Sequence, residues 1–391
     1  MSYYILPKKQ TISKIMPELS NQLSEPIISF SLIHYLHISQ NYVNKMKQYE
    51  NNVDFFCRMI HPYEFIHNKV PGSKFSVSKI KSCSPIFYMF MEIIHTFTIF
   101  DSFQNKNIIS LHCSANNDAT IECINIFREN NDDINYENKI ENEMSYIIPL
   151  KGISPSSIDF LYYELCCDTT NICSYILHFI GVVCNLITYQ SCNGVSIIKI
   201  DTLLHKPILD IIYLLTCMYD KVYIIKPNVS SSFNNERFIV CKQFIGTAKQ
   251  PELYDYATIL SKTMLECIYH NKCVHSLLEE ELPFYFLNKI EDSNIIIGHL
   301  QLEQYTQLIN LIKNKNRDDK IEVLKKNNIQ KCIQWCEKYK IPYNKFVEKL
   351  NIFLPIVFIE EEKKLEIRGD EEQLELNNYN ADEEERIYSN E

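Results

Sequence analysis

Between Asn107 and Phe244 the chain alternates short apolar runs rich in β-branched residues with longer stretches of helical spacing, and this alternation constrains the fold most. NIISLHC (107–113) is followed by helical spacing at Ile121, Ile124 and Phe127 within 118–128. SYIIPLKG (145–152) and IDFLYYEL (158–165) are further strand candidates, and residues 171–190 are long enough only for a helix. GVSIIKI (194–200), a helix over 207–219 opening on Pro207, and the runs KVYIIKP (221–227) and RFIVCKQF (237–244) complete the series. Repeated strand–helix units closing in a hairpin predict an α/β fold, a mostly parallel sheet with helices on both faces. Beyond Tyr254 the pattern is helical, with MLECIYHNKCVHSLLEEEL and LEQYTQLINLIKN as the clearest pieces. The first 80 residues are mixed, and no internal repeat is visible.

Composition narrows the chemistry. The seven glycines (72, 152, 181, 194, 246, 298, 369) never cluster, which excludes a P-loop and a G-x-G-x-x-G dinucleotide loop. Fifteen cysteines scattered through apolar segments, and a start MSYYILPKKQ without an apolar leader, predict reduced, core-packing thiols in a cytoplasmic setting. The uncharged stretch 169–198 contains Asn185, Gln190, Asn193 and Gly194, so it reads as a buried helix running into a strand, and no membrane anchor is expected.

The net charge of −10 is concentrated at one end. Residues 360–391 hold thirteen acidic and four basic side chains, the pattern of a disordered acidic tail. Just before it, Lys313–Lys349 holds eleven basic against five acidic residues, which reads first as a solvated helical surface and second as a face for an acidic partner such as RNA. Cys267, His270, Cys273 and His275, with Cys332 and Cys336, have metal-ligand chemistry, but their spacing is one side of a helix and no metal is expected. The single tryptophan, Trp335, lies among lysines; a buried anchor is the expected role, base stacking the alternative.

The run GVSIIKIDTLLHKPILDIIYLLTCMYDKVYIIKPNVSSSFNNERFIVCKQF has a strand ending in Lys, a helix, a strand ending in Lys-Pro, a Ser-rich loop, and a Glu opening the last strand. In this order it resembles the FtsJ/RrmJ-type ribose 2′-O-methyltransferases, most closely the Adrift-type branch that methylates mRNA caps, including copies in large DNA viruses. The resemblance implies a Rossmann-like methyltransferase sheet, S-adenosylmethionine as cofactor, and a Lys-Asp-Lys-Glu set acting on a ribose hydroxyl. Matched by position, the second Lys is Lys199 and the final Glu is Glu236; left without the surrounding pattern, these would read as a solvent-reaching lysine and a carboxylate on Arg237 or Lys226. Glu164 stands where the family has Asp, and Met89, in Met89-Phe-Met-Glu-Ile93, stands at the first Lys. Met carries no charge and donates no hydrogen bond.

The cofactor loop departs further. Ser110-Leu111-His112 and Ile121–Asn125 fix the register, but Ala115, Asn116, Asn117 and Asp118 replace the family's acid and Pro-Gly turn. A side chain takes the place of glycine, and Asp118 brings negative charge beside a site for a carboxylate-bearing ligand. The second strand, read as ending in Pro149-Leu-Lys151, lacks the acid that holds the cofactor ribose. S-adenosylmethionine binding is therefore not expected.

The resulting expectation is an N-terminal extension (1–75), an FtsJ-like domain (76–250), a helical C-terminal domain (251–358) and an acidic disordered tail (359–391). Its implied function is a non-catalytic subunit associated with RNA capping or transcription, partnered by capped mRNA or RNA and by a capping enzyme or active methyltransferase. The expected location is the cytoplasm, a viral factory or the virion. One alternative is an active S-adenosylmethionine-dependent RNA 2′-O-methyltransferase using Lys199, Glu164 and Glu236. Another is a structural or virion-packaged interaction protein.

Overall fold

The structure is a computed structural model, and it describes residues 2–9, 14–49, 52–115, 117–129, 131–139, 150, 152–165, 171–247, 249–314 and 318–346. The chain divides into two units, residues 1–344 and 345–391, and the acidic tail lies outside the described residues.

The central sheet has the strand order β1-β7-β8-β6-β5-β3-β4. Its strands are β1 (Ser2–Ile5), β3 (Ile109–Ser114), β4 (Ile134–Lys139), β5 (Ile158–Glu164), β6 (Gln190–Ile200), β7 (Tyr219–Lys226) and β8 (Arg237–Phe244). β4, β3, β5 and β6 run parallel, and β8 lies antiparallel between β6 and β7. This is an α/β fold, a mixed seven-stranded sheet with helices packed against it. β5 shows why its middle, Phe160 to Tyr163, is apolar. Phe160 and Tyr162 meet Phe90 of α3 (Ile86–Phe97) on one face, while Leu161 and Tyr163 enter the core with α5 (Ile172–Tyr189) on the other. A parallel strand covered on both faces has no polar side to display.

Local signals set the helix ends. Asn171 caps α5, its side chain accepting from the Ser174 N–H at 3.1 Å. Pro207 sits in the first turn of α6 (Lys206–Met218). Thr98, in the left-handed region at φ 45°, ends α3. α5 is the one described helix long and apolar enough to cross a membrane, yet 72% of it is buried within the fold, as expected for a core helix running directly into β6.

The strand partner of β3 differs from the sequence reading. It is β4, whose polar run INYENK sits at the sheet edge, while 145–149 and Lys151 lie outside the described residues. The entry to both strands is pinned by Arg128, buried against Asp133 through two hydrogen bonds of 2.5 and 3.0 Å and donating to the carbonyls of Phe103 and Lys106. That geometry satisfies a buried guanidinium bidentately.

Two further readings are corrected. MLECIYHNKCVHSLLEEEL is not continuous helix: α7 (Glu252–His270) stops at Asn271 in the left-handed region (φ 50°), and β9 (Cys273–Leu278) follows as a strand antiparallel to β2 (Ile15–Ser20). Asp210 of α6 holds β9 by accepting from the Leu277 N–H at 2.8 Å. The thiols are not uniformly reduced core, since Cys173 and Cys273 form a disulfide across 100 residues of sequence. Only the fold brings β9 to the start of α5, so spacing carries no trace of the pair. The remaining helices are α1 (Phe30–Tyr49), α2 (Val53–Ile60), α4 (Asp118–Phe127), α8 (Phe284–Lys313) and α9 (Asp318–Lys338).

Candidate functional site

Three strand ends meet at the carboxyl edge of the sheet. Register pairs Glu164 of β5 with Lys199 of β6, and Ile200 with Arg237 of β8, so the antiparallel β8 begins beside the place where β6 ends. The Lys199 ammonium donates to Glu164 Oε1 at 2.5 Å and lies 3.4 Å from Glu236 Oε2, with the three side chains only 12–17% exposed. The structure thus brings together Glu164, Lys199 and Glu236. Burial, the largest single influence, pulls the Lys199 ammonium down, but the two carboxylates and the hydrogen bond to Glu164 together outweigh it and hold it above the ordinary lysine value. Lys199 is therefore a fixed cation at neutral pH: it can orient an oxygen by donating a proton bond, but it cannot act as a base there. Met89, in the first-Lys position, lies on α3 and is 8% exposed.

The loop that delivers Glu236 is tightly held. Lys226, 6% exposed, donates to the carbonyls of Ser231, Asn234 and Glu236 at 2.8–2.9 Å. Burial pushes its ammonium down to about 7. Lys226 thus organises the loop, and Arg237 donates to Asn294 Oδ1 at 2.7 Å. Two residues missed by sequence reasoning complete the clamp. Glu92, fully buried on α3, accepts from the Asn228 and Val229 N–H groups at 3.0 and 3.4 Å and from the Trp335 indole at 3.3 Å. His61 bonds through Nε2 to the Val229 carbonyl at 3.1 Å, and burial pushes its imidazole down to about 4. The only sequence signal for Glu92 was a carboxylate inside the apolar helix IFYMFMEIIHTF, which demands buried donors. Trp335 is 4% exposed, so it anchors α9 and is not a stacking platform.

The order of the chain reverses direction across the sheet between β3 and β5, and open α/β sheets bind ligands outside the carboxyl ends at such a switch point. The loop there is tested by its own packing. Asn117 is fully buried with φ −78°, its side-chain oxygen accepting from Ser114 Oγ at 2.7 Å and its carbonyl accepting from Thr120 Oγ1 at 2.9 Å. His112 bridges Ser110 and Thr120 beneath it at 2.9 Å each. A packed side chain stands where a cofactor would approach bare backbone. Ala115 is exposed, Asp118 opens α4 with a carboxylate, and Asn116 lies outside the described residues. These residues do not fit S-adenosylmethionine. A crevice of about 570 Å³ opens between Asp201, Thr202, Asn234, Asn235, Gln301 and Tyr305.

Among the described residues no group of three or more His, Cys, Asp or Glu is placed to hold a metal ion, and Cys273 is committed to its disulfide. Cys332 and Cys336 lie on the buried side of α9, where burial pushes both thiols up.

No family model matches the chain. It is similar to a cap-specific mRNA (nucleoside-2′-O-)-methyltransferase of Mus musculus, 27% identical over 159 residues, which are 40% of this chain and 19% of that protein. It is likewise similar to the Pongo abelii protein of the same name, 29% identical over 157 residues, again 40% and 19%. The chain thus spans about a fifth of the length of the curated relatives it matches. A solved Plasmodium falciparum structure described as a ribosomal RNA methyltransferase shares 19% identity, covering 42% of this chain and 98% of that one at a TM-score of 0.30. Over 40% of its length, then, the chain is similar to RNA methyltransferases.

Proposed function

We propose that the protein is a methyltransferase-fold subunit of RNA capping that does not itself transfer methyl groups, working on capped mRNA beside a capping enzyme or an active methyltransferase. The Adrift-type viral branch, and a location in the cytoplasm, a viral factory or the virion, belong to the same proposal. The observation that carries it is Asn117, fully buried over Ser114 in the loop where the cofactor would enter. The crevice lined by Thr202, Asn234, Asn235 and Gln301 is open to a polar ligand such as RNA. The test is a radiometric methyl-transfer assay on capped RNA, with this chain alone and with an active cap methyltransferase added. The expected result is no ribose label from the chain alone and increased label from the mixture; label from the chain alone contradicts the proposal.

One specific observation favours a second reading, an active RNA 2′-O-methyltransferase. The Glu164–Lys199–Glu236 grouping keeps a cation and two proton acceptors at a strand edge. Under that reading the chain alone labels ribose, and Lys199→Met abolishes the label.

A further inference from the structure

The segment HNKVPGSKFSVSKIK, residues 67–81, carries four lysines and no acid, and nothing in its local pattern marks a function. The fold lays it against the chain that leaves the lysine-rich α9. The Lys79 N–H donates to the Pro342 carbonyl at 2.9 Å, the Asn344 N–H to the Val77 carbonyl at 2.8 Å, and Ser78 bridges to Tyr343. At Gly72, a Cβ would stand 4.0 Å from the Lys325 ammonium. From the segment, Lys69, Lys79 and Lys81 are exposed, and from α9 and its exit Lys331, Lys338 and Lys340 are exposed. Among them Phe75 projects with 61% of its surface in solvent.

We infer that this composite face binds the phosphate backbone of single-stranded RNA, with Phe75 stacking a base. Between Lys325 and Lys338 the exposed α9 residues other than Lys331 are Asn327, Gln330, Gln334 and Glu337, none of them apolar, so this stretch lacks the apolar centre that a protein partner would need. Lysines around one exposed aromatic ring are the elements of a sequence-tolerant single-strand platform. The face is also tied to the Glu236 loop, because Trp335 on the buried side of α9 donates to the same Glu92 oxygen that holds Asn228 and Val229. The choice of RNA rests on the function proposed above; the location does not.

Fluorescence anisotropy of a labelled single-stranded RNA against the full chain, over a salt series, tests the inference. Lys69→Ala/Lys79→Ala/Lys81→Ala is expected to weaken binding and to flatten the slope of log affinity against log salt by about 2, at roughly 0.7 per lost single-strand contact. Phe75→Ala is expected to weaken binding roughly 5- to 150-fold while leaving the slope unchanged. All four side chains are exposed, and circular dichroism checks that the variants fold. If the wild type binds RNA and both variants match it in affinity and slope, the face is overturned while the RNA-directed function stands. If the chain binds poly-glutamate through these residues and binds no RNA, the ligand is an acidic protein and the inference is overturned. Binding of neither also overturns it.

Discussion

Lys199→Met removes the cation between two carboxylates, and its cost follows from the geometry. The ammonium is 2.5 Å from Glu164 and 3.4 Å from Glu236, so the variant leaves two negative charges facing one another at the strand edge. Breaking a buried ion pair by deleting one partner costs about 3–5 kcal/mol. These side chains keep 12–17% of their surface in solvent, so screening lowers the expected cost to about 2–3 kcal/mol at pH 7. The sign of the pH dependence is fixed by the Lys199 shift. Its value is raised on folding, so its stabilisation is complete below the unfolded value of about 10.5 and is lost as pH rises through the folded one. The gap between wild type and variant is therefore flat from pH 7 to 9 and closes in strong alkali. Urea denaturation at pH 7 and 9, followed by circular dichroism, measures the gap. A cost below 1 kcal/mol at both would refute the picture of a buried, charge-balanced triad.

Other consequences are equally open to measurement. His61 and His112 are held down to about 4 and about 3 by burial, so the unfolded chain binds more protons below pH 6.5 and stability falls with acid. His61 alone contributes a loss of about 3 kcal/mol by pH 4, and His61→Gln should flatten the acid limb of a stability–pH curve. Trp335→Ala empties a buried site and unpairs one donor of Glu92, so thermal and urea unfolding should report a loss of about 3–5 kcal/mol. Replacing Asn117 by Pro and Asp118 by Gly suits the existing φ of −78° and removes both the buried side chain and the charge. In calorimetry this double variant should gain S-adenosylmethionine affinity relative to the wild type, with unchanged far-ultraviolet circular dichroism.

What the sequence disclosed depended on how each segment is buried. β5 and β8 were legible because strands covered on both faces have apolar centres, Phe160–Tyr163 and Phe238–Cys241, and α5 because Asn171 to Gln190 can only be a helix. β4 was not, because INYENK at the sheet edge looks like a loop, and β9 was hidden by the left-handed turn at Asn271 within a helix-like composition. Glu164, Lys199 and Glu236 could be singled out because each stands at the end of a strand and the resemblance supplied their order. The Glu92–His61 clamp could not be, because it joins α3, the 61–66 region, the Ser-rich loop and α9 through contacts more than 130 residues apart. The disulfide was invisible for the same reason.

The central claim is that the loop capped by Asn117 has lost its cofactor while the strand-end residues persist. Isothermal titration of the full chain with S-adenosylmethionine tests it most directly. The account predicts no measurable heat of binding with ligand in the micromolar range; a micromolar dissociation constant would contradict it.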